Sequence, residues 1–221
     1  MPLWPSDGQS RIQPRQTAGL TIGKAAFRLQ GSSRELLMNL WIRLLWLLLT
    51  ARKRGHLDLP RESSLLRFRV WPHDLDLSFH LNNGRYLTLM DLGRLDVMVR
   101  SGLWREVLRH KWTPIASAIT IRFQRELRPF QKFRLETKLL CWDASLVVME
   151  QIFIVDGGTR DGQVAARALF KGGLYDRNDR KFVEIARLMA LLGVSEISPL
   201  ATPEVEAFLR ADDRLKQAGR V

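Results

Sequence analysis

The spacing of apolar positions changes character more than once along this chain. Residues 1–34, rich in Gly, Pro, Gln, Ser and Arg, hold no sustained apolar period, the pattern of a disordered leader. Leu36–Leu49 is then apolar almost throughout. Asn39, Arg43, Thr50 and Arg54 follow at spacings of four, seven and four, one polar stripe on an otherwise greasy helix. Leu65–Trp71 alternates, with Leu66, Phe68 and Val70 against Arg67 and Arg69, and predicts a strand. The polar segment Pro72–Asn83 ends in Asn82-Asn83-Gly84, a helix-start signal. Residues 83–100 are apolar on more than one face, as in a helix buried on most sides. Ile115–Phe123 and Phe133–Cys141 alternate again. Leu146–Val155 is apolar on both faces apart from Glu150 and Gln151 and predicts a central strand. Val164–Tyr175 is a further strand, in which Gly172-Gly173 marks a bulge or a close backbone approach. Asp156-Gly157-Gly158 joins the last two as a hairpin. A helix around Val183–Leu192 stops at Gly193, and residues 195–221 read as a polar, loosely attached tail.

One strand, one buried helix and four long strands specify an α+β domain over residues 60–194. A curved antiparallel sheet of about five strands wraps around one long central helix, the arrangement called the hotdog fold. Apolar residues at 46% and charged residues at 26% suit a globular chain with a core. The single cysteine, Cys141, excludes an internal disulfide framework and a cysteine-rich zinc cage, and its strand face with Leu135 and Leu139 reads as core. The Leu36–Leu49 run falls short of the ~20 residues a membrane span needs.

Charge changes the reading of the first segment. Residues 1–54 carry nine Lys/Arg against Asp7 and Glu35, so +7 of the total +12 lies there. A nucleic-acid binder would be expected to concentrate its basic residues on the folded part, so no nucleic acid is expected as partner. Trp41 and Trp46 suit a water–lipid boundary, and Arg52-Lys53-Arg54 follow directly. Residues 35–54 are thus expected to form an amphipathic helix, with 36–54 meeting an anionic membrane surface from the cytoplasmic side. The alternative is a helix packed on the protein's own domain. Met38 opens the segment, and translation starting there would remove the leader.

The stretch Val70–Tyr86 concentrates titratable and hydrogen-bonding side chains between a strand and a buried helix. His73, Asp74, Asp76 and His80 offer imidazole and carboxylate, but at a spacing that matches no metal motif, and no metal is expected. Asn82 or Asn83 caps the helix, and Asp76 is at the least a turn acid. A helix N-terminus also offers unpaired amides and about half a positive charge to an oxyanion, with Asp76 close enough in sequence to face it. No Gly-x-Ser-x-Gly elbow and no glycine-rich phosphate loop are present. Asp91 and Arg94, three apart, are placed to pair on the central helix. Arg122, Arg125, Arg128 and Lys132 cluster around an Arg-Pro-Phe turn, which reads equally as a cationic group suited to phosphates and as an ordinary solvated turn.

The order Asp74-x-Asp76-x-x-x-His80-x-Asn82-Asn83-x-x-Tyr86, followed by Asp91-x-Gly93-Arg94, resembles the 4-hydroxybenzoyl-CoA-type acyl-CoA thioesterases, and more closely their branch called thioesterase superfamily member six. The resemblance covers about Leu65–Asp176. It implies Asp76 as general base or nucleophile toward a thioester carbonyl, and backbone amides of His80–Asn83 for the carbonyl oxygen. It further implies an acyl-CoA or acyl-carrier thioester as substrate, without a cofactor. Tyr86, Asp91, Arg125, Arg128 and Lys132 are the expected substrate contacts. The pocket would lie between paired protomers of a homodimer or homotetramer. The Leu77–Phe79 loop is shorter than in some members. The alternative is a catalytically weak acyl-thioester or lipid-binding protein held at a membrane surface.

Overall fold

The computed structural model describes residues 29–194 and 197–219, and side chains from Leu40 onward. The chain divides into a unit ending at Met38 and one running from Asn39 to the C-terminus. The leader lies outside the described residues except at its end, where helix α1 (Leu29–Ala51) begins six residues inside the stretch expected as leader. Then come β1 (Ser64–Arg69), α2 (Asn83–Arg100), α3 (Leu103–His110) and β2 (Trp112–Phe123). The long strands β3 (Lys132–Trp142), β4 (Val147–Val155) and β5 (Val164–Asp176) follow. Last are the two-residue β6 (Lys181–Phe182), α4 (Ile185–Leu191) and α5 (Pro203–Ala218).

All strands form one antiparallel sheet in the order β1-β3-β4-β5-β2, with β6 added beside β5. The expected hairpin joins β4 to β5, and Gly157 and Gly158 at its turn take φ of 88° and 77°, where a side chain is strained. Adjacent strand residues face opposite ways. Ala168 therefore packs with Leu89, Met90 and Leu92 of α2, while its neighbour Leu169 packs under α5 with Val205 and Leu209. Helix α2 fills one face of the sheet and α5 covers part of the other.

The approach of α2 to the sheet is close because Gly93 has no side chain. A Cβ there would collide with Thr137 Oγ1 and Gln151 Nε2. Gln151, fully buried, uses that proximity to donate to the Met90 carbonyl (2.9 Å) and to Thr137 Oγ1 (3.0 Å). This satisfies a polar side chain that would otherwise be costly inside the core.

Two expectations are corrected. The stretch expected as a loose tail, 195–221, is helical over much of its described part: α5 buries Val205 and Phe208 and ties Asp212 to Lys171 at 3.0 Å. Cys141 is buried as expected, but a register shift between Leu139 and Cys141 places it with Val148 and Val205 under α5, apart from Leu135 and Leu139. The alternative reading of α1, a helix packed on the domain, holds from Leu40 onward, and two of the polar positions turn inward. Arg43 reaches buried Asp74 at 2.5 Å, and Arg54 reaches buried Asp96 at 2.7 Å. Leu40, Leu44 and Leu47 join the α2 core. Left outside are Trp41, Ile42, Leu45, Trp46, Leu48 and Leu49.

Candidate active site

The loop before α2 folds back on itself. Leu75 and Leu81 pair as an isolated antiparallel bridge, and Asp76 N donates to the His80 carbonyl (2.9 Å). Asp76 Oδ1 accepts from the amides of Ser78 (2.9 Å) and His80 (3.2 Å), so this oxygen holds the turn. The turn carries Phe79 at φ 58°, a conformation a bulky residue rarely adopts, and leaves Leu77 and Phe79 exposed. Asp76 Oδ2 has no hydrogen-bond partner among the described residues.

Asp74, two residues earlier, has a different task. It is buried, accepts from the Trp71 amide (3.0 Å) and the Arg43 guanidinium, and forms an ion pair with Arg85 Nε at 3.4 Å. A carboxylate so enclosed by cations locks α1, the loop and α2 together and faces no solvent. Among the described residues, no group of three or more His, Cys, Asp or Glu side chains is arranged to hold a metal.

Asn82 is the helix cap, its Oδ1 accepting from Gly84 N at 2.8 Å. The amides expected for a carbonyl oxygen are mostly engaged: His80 by Asp76, Leu81 by the Leu127 carbonyl (2.9 Å), and Asn82 by the Asp74 carbonyl (2.9 Å). The amide of Asn83, first residue of α2, has no acceptor among the described residues and lies at the positive end of the helix dipole.

A cavity of about 300 Å³ opens here, lined by Asp76, His80, Asn83, Tyr86, Phe123 and Arg125 among others. Tyr86 is its floor. Its ring meets Phe123 and Phe153 edge-on at 5.0 and 4.8 Å, and burial pushes its hydroxyl up to about 12. The rim contains a group that the sequence did not disclose. His80 Nε2 lies 2.9 Å from Glu126 Oε2. Glu126 is held below the usual carboxylate range, first by the hydrogen bond from Arg128 and also by the charges of His80, Arg128 and Arg160. The two residues are 46 positions apart and meet only because the β2–β3 connection folds over the loop, so no local spacing could announce the pair.

Of the expected substrate contacts, Tyr86 and Arg125 line this cavity. Arg125 also donates to the Val164 carbonyl (2.9 Å). Arg128 is turned to Glu126, and neither it nor Lys132 lines the cavity. Asp91 pairs with Arg94 as expected, but both line a second, apolar cavity farther along α2.

A single antiparallel sheet around a central helix, with an acid and a helix N-terminus sharing one cavity, defines the hotdog class. Solved hotdog structures superpose on the chain. A probable thioesterase from Escherichia coli, YbaW, gives a TM-score of 0.53 at 20% identity, covering 58% of this chain and 94% of its own. A mutant 4-hydroxybenzoyl-CoA thioesterase complexed with 4-hydroxybenzoyl-CoA gives 0.54 at 15% identity, over 59% and 97%. The family model of the thioesterase-like superfamily matches residues 70–196, more than half of the sequence, and the chain belongs to that superfamily. Protein THEM6 of Xenopus laevis is 41% identical over 85 residues, 38% of this chain and 41% of its own length. Protein THEM6 of Danio rerio is 32% identical over 116 residues, 52% and 56%. The chain thus spans about half the length of the curated relatives it matches.

Proposed function

We propose that this protein is an acyl-CoA thioesterase whose chemistry is centred on Asp76. The observation that carries the reading is the shared cavity: a carboxylate with one free oxygen, the first amide of α2, and an aromatic floor line the same 300 Å³ space. In this reading Asp76 Oδ2 either attacks the thioester carbonyl and expels the thiolate, leaving an acyl-aspartate that water then hydrolyses, or draws a proton from the attacking water. The Asn83 amide and the α2 dipole stabilise the oxyanion that develops on the carbonyl oxygen. His80, oriented by Glu126, is placed to pass a proton to the leaving thiolate. Arg125 is the cation suited to the carrier's phosphate. The relatives' printed names and the superfamily support a thioester as substrate.

Two further features belong to the proposal. The long edge strand β2 leaves Ile119 and Phe123 exposed with one side of the sheet unpaired, which supports a homo-oligomer formed through that edge. The outward face of α1 presents Trp41, Ile42, Leu45, Trp46 and Leu49 beside exposed Arg52 and Lys53, which supports docking on an anionic membrane surface. No helix among the described residues is long and apolar enough to cross a membrane.

Hydrolysis of a panel of acyl-CoAs, from acetyl to long-chain and aromatic, tests the activity. Release of free thiol from at least one class is the expected result. Saturable binding without thiol release across the panel would replace the hydrolase by a thioester-binding protein.

A further inference from the structure

The second cavity encloses about 270 Å³ between the C-terminal half of α2, the starts of β2 and β4, the end of β5, and α4. It shares no lining residue with the Asp76 cavity. Its wall is hydrocarbon, including Val97, Met98, Leu139, Met149, Leu174 and Met189, and among the described residues the only charged groups on it are Asp91 and Arg94.

Arg94 is built in. Its side chain is 12% exposed, Nη1 donates to Gln151 Oε1 at 2.6 Å, and the guanidinium lies over the Phe170 ring at 4.1 Å. Gln151 is itself fixed by Met90 and Thr137. The Phe170 ring has its place because Gly172 lacks a Cβ, which would overlap it. The cation therefore keeps its position whatever its anionic partner does. That partner, Asp91, is bound through Nη2 but is 69% exposed, and an exposed carboxylate gains little from its ion pair. The arrangement is a rigid guanidinium with an exchangeable counter-ion at the mouth of an apolar chamber.

We propose that this chamber is a binding site for a free fatty acid, its hydrocarbon chain in the cavity and its carboxylate on Arg94 in place of Asp91. A thioester carbonyl bears no charge to displace Asp91, whereas a carboxylate at the end of an alkyl chain supplies both parts of the recognition. The site does not depend on hydrolysis at Asp76, so it stands or falls separately from the thioesterase reading.

Calorimetric titration of the full chain with hexanoate, octanoate and decanoate, and with decan-1-ol as the uncharged control, tests it. Affinity should rise roughly fourfold per methylene until the chamber is full. Asp91→Asn, which removes the competing carboxylate from an exposed position, should tighten decanoate severalfold and leave decanol unchanged. Arg94→Met should weaken decanoate by about tenfold or more, the worth of a charge-assisted hydrogen bond, again sparing decanol. Decanoate binding that is unchanged or weakened in a folded Asp91→Asn protein overturns the assignment, as does affinity indifferent to chain length. Since decanoate carries no thioester, a failure of the acyl-CoA assays leaves these outcomes readable.

Discussion

Asp74 and Asp76 are two residues apart, and their surroundings give them separate work. Asp74 is sealed among Arg43, Arg85 and the Trp71 amide, while Asp76 holds a turn with one oxygen and lines a cavity. The sequence made both acids visible but could not rank their burial, since the cations around Asp74 come from α1 and α2. Tyr86 gives a residue-scale test. Its hydroxyl ionises at about 12 in the folded protein against an ordinary 10.0, because burial disfavours the phenolate. The unfolded chain therefore loses that proton first as pH rises. The tyrosine's contribution is fully present below pH 10 and is lost between about 10 and 12. Thermal midpoints measured across this window should fall more steeply for the native protein than for Tyr86→Phe; parallel curves would show that Tyr86 is not the buried floor described.

At the scale of elements, the pattern of apolar positions located β1, α2 and the four long strands, because burial on one face or on both sets that pattern. It missed α3, whose eight residues bury only Val107 fully, and misjudged the C-terminus. The signs of α5 were present: Pro203 at its first turn, Val205, Phe208 and Asp212 on one face, and acids early with Lys216 late. Its polar composition hid them, since the buried face is narrow and includes a charge paired with Lys171. Gly93 was legible only as part of a motif, and its reason is tertiary. Gly93→Ala should cost about 1–3 kcal/mol in chemical denaturation, the usual price of overpacking, as the new methyl meets Thr137 and Gln151. A neutral substitution would mean that α2 stands farther from the sheet. Helix α1 yields a second test. Because Leu47 and Ala51 are buried, removing residues 1–54 would damage the domain, whereas Trp41→Gln with Trp46→Gln alters only the outer face. That double variant should keep its thermal midpoint and lose most of its flotation with anionic vesicles. Undiminished flotation would separate membrane binding from α1.

For the molecule as a whole, one cavity lies near the start of α2 and another farther along it, with β2 left open at the sheet edge. The motif from Asp74 to Tyr86 pointed to the first cavity because its residues are close in sequence. Glu126 and the Arg94 chamber escaped notice because strand pairing assembles them from distant segments. The central claim rests on Asp76, and Asp76→Asn isolates its charge, since an amide oxygen can still accept from Ser78 and His80. The decisive measurement is kcat for acyl-CoA hydrolysis by this variant, beside its thermal midpoint. The account predicts a loss of about 10²–10⁴-fold, the worth of a positioned proton-transfer group, with substrate affinity and midpoint little changed. Full hydrolytic activity in the folded variant would contradict it, and a lowered midpoint with activity intact would reduce Asp76 to a turn residue.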